Sequence, residues 1–280
     1  MKIMKKILAF VLLFFAIFTI SCNKEPYVEN NLIVHYINVG QGDSTLIQFN
    51  GKNLLIDAGT RENVSNLIKY IDSYNIHSFD YVIATHPHDD HIGGMAQVIN
   101  KYSIDNFYMP QVNYSGKIYE DMIDALKLKN IKIKTINPST PSINLGKDIS
   151  FSVFSPNNKI YENTNNYSPI IKIQYKKISF LFTGDAETEV EEEVLSRNYN
   201  LNSDVIKIGH HGSNTSTSVN FLQKVNPSIA IISVGKDNEY SHPNKEILDL
   251  LSKYKITYFR TDIDDTIILY SDGYKIYKRN

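Results

Sequence analysis

The sequence predicts an α/β fold in which two sheets are sandwiched by helices. Three observations lead there. From Leu32 onward, short runs with strand character are interleaved with runs of helical periodicity. The interleaving recurs in both halves of the chain, with no composition shift after Asn31 that would mark a second domain. Four of the strands run directly into turns that carry histidine or aspartate, and in layered α/β folds the strand ends on one edge converge on a common crevice.

Leu32 to Asn38 reads as a strand that ends at Gly40-Gln41-Gly42-Asp43-Ser44. Thr45 to Phe49 and Asn53 to Asp57 form a hairpin around Asn50-Gly51, a pair that accepts the positive φ angles of a tight turn. Thr60 can cap a helix from about Arg61 to Tyr74, and Phe79 to Thr85 is the next strand. A helix near Met95 to Lys101, a strand around Phe107, a helix near Ile118 to Lys129 and a strand at Ile131 to Thr135 follow. Pro138 and Pro141 bracket a loop; Ser150 to Ser155 is a strand, and Asn157 to Ser168 is an Asn-rich loop without periodicity. The second half continues with strands Ile170 to Tyr175 and Ser179 to Thr183, an acidic helix Glu187 to Arg197, strand Asp204 to Ile208 and helix Val219 to Val225. Strand Ile229 to Val234, helix Lys245 to Tyr254, strand Ile256 to Arg260 and a hairpin turning at Asp272-Gly273 complete the chain.

The N-terminus carries a targeting signal. Lys2, Lys5 and Lys6 precede an apolar run from Ile7 to Ile20, too short for an ordinary span and flanked as a secretory signal is. Cys22, the single cysteine of the chain, sits at the cleavage position. That resembles a bacterial lipoprotein signal, in which the cysteine becomes the lipidated first residue; Thr19 stands where such signals usually carry leucine. The expected organisation is a signal at residues 1–22, a polar tether at 23–31 and one domain at 32–280, secreted across the inner membrane and held in the cell envelope by a lipid. A mature chain without cysteine has no disulfide and no thiolate ligand, so any metal chemistry rests on His and carboxylate. With 29 Lys+Arg against 30 Asp+Glu, no broad basic field exists for a nucleic acid.

The densest chemistry lies at Thr85-His86-Pro87-His88-Asp89-Asp90-His91-Ile92-Gly93-Gly94. In a loop capping a strand, His86 and His88 project to one side and can share one ion. Asp90 and His91 can serve a second ion about 4 Å away. The glycine pair would let the backbone turn sharply away. Asp57 and Asp185 each stand just past a strand end, and Gly209-His210-His211-Gly212-Ser213 repeats the arrangement with two histidines. Alone, each is a common turn residue; together they supply the other half of a metal site. His35 and His77 stand outside every motif and read as structural.

Taken in order, Ile37 to Ser44, Leu55 to Gly59, Thr85 to Gly94, Leu181 to Asp185, Gly209 to Ser213 and Tyr240-Ser241-His242-Pro243 resemble the motifs of metallo-β-lactamase-fold hydrolases. Gly-Gln-Gly-Asp-Ser with His-His-Gly-Ser is most similar to the hydrolase domain of the ComEC family of DNA-uptake proteins. The resemblance implies an αββα four-layer sandwich with two divalent ions, Zn or Mn. It implies that His86 and His88 hold the first ion, Asp90 and His91 the second, and that Asp185 bridges both. One of His210 and His211 would complete the second site; His211 is preferred as ligand and His210 as a catalytic contact, although the sequence does not separate them. Asp57 would orient the metal loop from behind, and Gln41, Asp43, Ser44, Asn166, Ser168 and His242 would contact substrate. ComEC-type sequences often carry aspartate where His88 stands. No histidine occurs from Ile92 to Gly209, where Asn165, Asn166 and Ser168 lie, so the first ion is short of a strong ligand and expected to exchange more readily.

Two divalent ions with Asp90 and Asp185 leave a centre of about +2, which favours an anionic ester whose two oxygens straddle the ions. Metal binding would bring the pKa of a bridging water to about 7. In-line attack on phosphorus would follow, with Asp90 or His210 moving the proton. The expected function is extracytoplasmic phosphodiester hydrolysis, with single-stranded DNA as the substrate that the resemblance implies. Two alternatives stand beside it: hydrolysis of small or envelope esters, as by a choline-phosphate esterase or lactonase, and a lipid-tethered binding protein that retains metal without turnover. Lys207 and the run Lys127, Lys129, Lys132, Lys134 are the nearest basic groups, and the run reads as a solvated surface.

Overall fold

The computed structural model describes residues 31–157 and 160–279. The signal, Cys22 and nearly all of the tether lie outside the described residues. In chain order the strands are β1 (Leu32–Tyr36), β2 (Thr45–Phe49), β3 (Lys52–Ile56), β4 (Ser78–Phe79), β5 (Tyr81–Ile83), β6 (Ser103–Ile104), β7 (Phe107–Met109) and β8 (Ile133–Thr135), then β9 (Ile149–Val153), β10 (Ile171–Tyr175), β11 (Ile178–Phe182), β12 (Val205–Lys207), β13 (Ile229–Ile232), β14 (Thr257–Arg260), β15 (Ile267–Ser271) and β16 (Ile276–Lys278).

Two large sheets result, ordered β16-β15-β1-β2-β3-β5-β7-β8 and β14-β13-β12-β11-β10-β9. Each is antiparallel toward one side and parallel toward the other, where helical crossovers connect the strands. The C-terminal hairpin β15–β16 returns to pair with β1, so the first sheet is closed by the end of the chain.

Three apolar layers explain the architecture. Between the sheets, Val34, Tyr36, Ile47, Phe49, Leu54 and Ile83 meet Ile171, Ile173, Tyr175, Phe180 and Phe182. The outer face of the first sheet, with Leu55 and Val82, receives the helices Val64–Ser73, Met95–Lys101 and Lys117–Leu128 through Leu67, Ile71, Val98, Ile99 and Met122. The outer face of the second sheet, with Leu181 and Ile206, receives Thr188–Ser196, Val219–Val225 and Lys245–Lys253 through Val190, Val194, Phe221, Leu222 and Leu251. Ile178–Phe182 is buried throughout because the first sheet covers one of its faces and helices the other, and a strand so placed reads as a nearly continuous apolar run. At about 1.5–3 kcal/mol per buried large side chain, these layers dominate the stability.

Several local expectations shift. The strand expected over Phe79 to Thr85 breaks into β4 and β5, which pair in different sheets. The helix expected from Arg61 begins at Val64, and Thr60 holds the turn before it by accepting from Asn63 N at 3.3 Å and Asn63 Nδ2 at 3.1 Å. The Asn-rich loop contains a 3-10 turn, Thr164–Tyr167. His35 is a buried structural residue, hydrogen-bonded to the Tyr70 hydroxyl at 2.8 Å and Gln48 Oε1 at 3.1 Å, while His77 is exposed.

Candidate metal centre

The donors gather where β1, β3, β5, β11 and β12 end on one edge of the sandwich. Asp90, His91, Asp185 and His211 each offer an atom within 4.8 Å of all the others. His91 Nε2 lies 3.2 Å from Asp185 Oδ2, and His211 Nε2 lies 3.1 Å from Asp90 Oδ2 and 3.4 Å from Asp185 Oδ2. His91 Nε2 and Asp185 Oδ1 are buried without a hydrogen-bond partner. Two orphaned atoms within a set of two imidazoles and two carboxylates facing one point fit a divalent cation with His and carboxylate ligands.

The sequence builds this geometry locally. After β5, Asp89–Ile92 closes into a single helical turn, not an open loop, and turns Asp90 and His91 toward the second sheet. Gly93 and Gly94 have ordinary helical angles, so they are not there to make a sharp turn. Their reason is close approach: a Cβ at Gly93 would meet Arg61 N at 2.4 Å, and one at Gly94 would meet Ala58 O at 2.5 Å. From the other sheet, His210 and His211 both adopt left-handed angles (φ 48° and 54°). Two such residues in succession cost strain and send adjacent side chains in different directions, His211 into the buried cluster and His210 onto the cleft wall.

Groups behind the cluster fix its orientation. Asp57 accepts from Thr85 N at 2.8 Å, Thr85 Oγ1 at 2.7 Å and His91 Nδ1 at 2.8 Å. The backbone carbonyl of Ser233 accepts from His211 Nδ1 at 2.9 Å. Each imidazole is thereby held with Nε2 toward the centre, the arrangement by which second partners set a histidine's ligating nitrogen. Burial alone would lower the pKa of His91, but Asp185, Asp57 and Asp90 outweigh it and raise it well above the usual range. Burial likewise opposes a charge on His211, and Asp185 and Asp90 carry it up to about 10. Asp185 is the converse: burial would raise it, and His91 and His211 hold it well below the carboxylate range.

His86 and His88 form a looser second group. His86 Nε2 is 3.0 Å from His88 Nδ1 and 4.0 Å from Asp185 Oδ2. Burial and the neighbouring His91 lower the pKa of His86, and burial lowers that of His88, so both rings are favoured neutral. Asp185 stands between the two groups.

Above the centre is an open cleft of about 400 Å3, whose lining includes Gln41, Asp90, His210, His242, Tyr114 and Tyr240. His210 Nδ1 is 3.3 Å from Glu187 Oε1 and 3.2 Å from Thr215 Oγ1, while its Nε2 lies 3.9 Å from Asp185 Oδ2. His242 packs 5.6 Å from the His210 ring and is pushed down to about 4 by burial and the two neighbouring histidines.

Of the expected substrate contacts, Gln41 and His242 line the cleft and four others do not. Asp43 is buried beneath the centre in an ion pair with Lys207, itself buried. Ser44 is fully buried, its hydroxyl donating to Asp57 O at 3.0 Å. Ser168 is fully buried too; its hydroxyl lies 3.2 Å from His86 Nδ1 and accepts from Asp185 N at 3.1 Å, so it positions two donors. Asn166 turns to the acidic helix, donating to Glu189 Oε2 at 2.8 Å and accepting from Glu187 N at 3.0 Å; its neighbour Asn165 faces the cleft instead. For Asp43 and Ser44 the reason is that the turn Gly40–Ser44 is pressed against the metal loop, with Asp43 N on Asp90 O at 3.0 Å and no room at Gly42, where a Cβ would lie 2.3 Å from the same oxygen. Sequence reasoning missed Lys207 as a member of the site, along with Asn165, Tyr114 and Tyr240. Tyr240, two residues before His242, had a signal in its motif, Asn165 stood in the segment where the first ion lacks a histidine, and Lys207 was a nearby basic group; Tyr114 had none.

This fold and this donor set define a class: the chain belongs to the metallo-beta-lactamase superfamily, and its residues 37–236 match the pattern of that family. Within the superfamily it is ComEC-like. It is 31% identical over 260 residues to ComE operon protein 3 of Bacillus subtilis, covering 86% of this chain and 33% of that protein. It is 26% identical over 250 residues to Competence protein ComA of Neisseria gonorrhoeae, covering 89% of this chain and again 33% of the relative. The chain thus spans about a third of the length of these relatives. Among solved structures, the metallo-beta-lactamase fold protein YhfI from Bacillus subtilis superposes with a TM-score of 0.54 at 14% identity, over 82% of this chain and 95% of that one, which is a likeness of fold.

Proposed function

We propose that the chain is an extracytoplasmic, metal-dependent phosphodiester hydrolase anchored in the envelope through Cys22, working with two Zn or Mn ions. The observation that carries the reading is the convergence of Asp90, His91, Asp185 and His211 on the floor of an open cleft, with His210 on the wall beside them. His86 and His88 complete a second, looser group that shares Asp185.

Bound divalent ions supply a nucleophile at neutral pH and a cationic clamp for an anionic ester. The chain's own groups do the rest. Asp57 and Ser233 O keep the Nε2 lone pairs of His91 and His211 aimed inward. Asp90, less buried than the other three, is placed to take the proton from the attacking water. His210 is tethered through Nδ1 to Glu187 and Thr215, leaving Nε2 toward the cleft to protonate the departing oxygen. The likeness to competence proteins supports nucleic acid as the phosphodiester, and supports an envelope location. No described helix is long and apolar enough to cross a membrane. None of Lys127, Lys129, Lys132 and Lys134 lines the cleft, in keeping with a solvated surface.

The test is to assay the domain loaded with manganese or zinc on a chromogenic phosphodiester, single-stranded DNA and a lactone, beside Asp90→Ala. Hydrolysis of the two phosphodiesters by wild type, lost in Asp90→Ala, is expected. Wild type and variant equally inert on every substrate would overturn the enzymatic reading, and turnover of the lactone alone would move it to carboxylic esters.

A further inference from the structure

Among the described residues, those that line the cleft include no lysine and no arginine. A hollow of about 640 Å3 adjoins it across Gln41, which lines both. That hollow carries the amides of Asn38, Asn63, Asn66 and Asn238, and its described lining holds one cation, Lys236, and two carboxylates, Asp262 and Asp265. A substrate that extends beyond the reacting phosphate therefore meets little positive charge, and other chemistry must hold it.

Two tyrosines offer that chemistry. Tyr240 is 58% exposed although it lines the cleft, and its ring stacks on His242 at 5.8 Å and 26°. Its loop is pinned: Asn238 donates to Gly235 O at 2.9 Å and His242 O at 2.7 Å and accepts from His242 N at 3.0 Å, and Gln41 Oε1 accepts from Gly235 N at 3.0 Å. Tyr114 stands at the His88 end of the cleft, 6.4 Å from that ring, and leans on the backbone at Gly116, where a Cβ would lie 3.2 Å from its ring. A large exposed ring on a pinned loop beside a reaction centre offers a flat apolar face to whatever enters the cleft. Planar heteroaromatic rings stack on such surfaces whatever their hydrogen-bonding edge.

We infer that Tyr114 and Tyr240 are the specificity-determining contacts of the site, each stacking on a planar ring of the ester's organic groups, so that beyond the reacting phosphate recognition runs through rings and not through charge. The inference rests on the reading of the centre as a phosphodiester hydrolase. It sets apart esters with unpaired bases from envelope phosphodiesters, whose glycerol and choline groups have no ring.

The experiment compares a fluorescent oligothymidylate with an abasic strand of equal length and charge. Binding is followed by anisotropy in chelator, and hydrolysis with manganese. The thymidylate binds wild type at least 5-fold more tightly than the abasic strand, about the effect of one stacked base. Tyr240→Ala and Tyr114→Ala each lower thymidylate affinity by a similar factor without changing abasic affinity, and Tyr240→Phe restores it. Raising salt from 50 to 200 mM weakens binding by less than about 3-fold, as for one phosphate contact. Equal affinity of wild type for the two strands, or unchanged thymidylate affinity in both alanine variants, overturns the inference whatever hydrolysis shows. Ring-dependent binding without hydrolysis sustains it and overturns the enzymatic reading instead.

Discussion

Asp57→Asn is the most informative single change, because it keeps the size and shape of the side chain and replaces one acceptor oxygen by an NH2 donor. Asp57 accepts three hydrogen bonds through two oxygens: Oδ1 takes Thr85 N, and Oδ2 takes both Thr85 Oγ1 and His91 Nδ1. An asparagine has a single oxygen to offer, and either placement fails somewhere. With oxygen toward Thr85 N, the new NH2 faces His91 Nδ1, which must then accept, and the ring proton moves to Nε2, the atom turned toward Asp185. With oxygen toward His91, the NH2 meets the Thr85 N–H head on, leaving a buried donor unpaired at about 1–3 kcal/mol. The first placement blocks a metal ligand and the second destabilises the loop that carries it. Competition with a chromogenic chelator should show metal affinity reduced about 10–100-fold, the usual consequence of losing a second partner of a ligating histidine. Urea unfolding of the metal-free protein should show at most a few kcal/mol lost. Wild-type metal affinity in Asp57→Asn would refute the role given to Asp57 and the ligand role given to His91.

Three further outcomes follow from the geometry. After dialysis against buffer without metal, the protein should retain close to one ion, since Asp90, His91, Asp185 and His211 converge more closely than His86 and His88; two tightly held ions, by elemental analysis, would contradict that asymmetry. Lys207→Met should destabilise by about 3–5 kcal/mol in urea, because it leaves Asp43 buried and unpaired, and Lys207→Met with Asp43→Asn should recover most of that; equal losses would show that the pair is not the cause. His35 has its pKa lowered to about 3, chiefly by burial, so its neutral form is stabilising above the unfolded value of 6.5, and that stability is lost as pH falls through the window from 6.5 toward 3. Wild type should therefore lose about 3 kcal/mol more than His35→Gln between pH 7 and 4.5 in urea titrations, and parallel profiles would refute the assignment.

The sequence carried the fold because its strongest signals are periodic. Doubly buried strands such as Ile178–Phe182 and amphipathic helices such as Lys245–Lys253 announce themselves within a few residues, and ligands at strand ends inherit their placement from topology. The preference for His211 over His210 at the centre was not legible, since the separation depends on two left-handed residues in a row. Substrate contacts were the least legible. Asp43 and Ser44 are polar residues beside the centre, and whether such a residue faces cleft or core depends on how close two loops approach, which Gly42 sets through Asp90 O. Asn165 and Asn166 are chemically identical neighbours that a 3-10 turn sends opposite ways. Lys207 lay in plain view as a basic residue, yet its ion pair joins residues far apart in the chain, and no local pattern records it.

The central claim is that Asp90, His91, Asp185 and His211 assemble a centre that hydrolyses phosphodiesters with water. The most direct measurement is turnover of a phosphodiester in water enriched in oxygen-18 by the manganese-loaded protein, with mass analysis of the phosphomonoester product. The account predicts one oxygen-18 in the product phosphate from wild type and no product from Asp185→Ala. Product without the label, or labelled product formed equally well by Asp185→Ala, would contradict it.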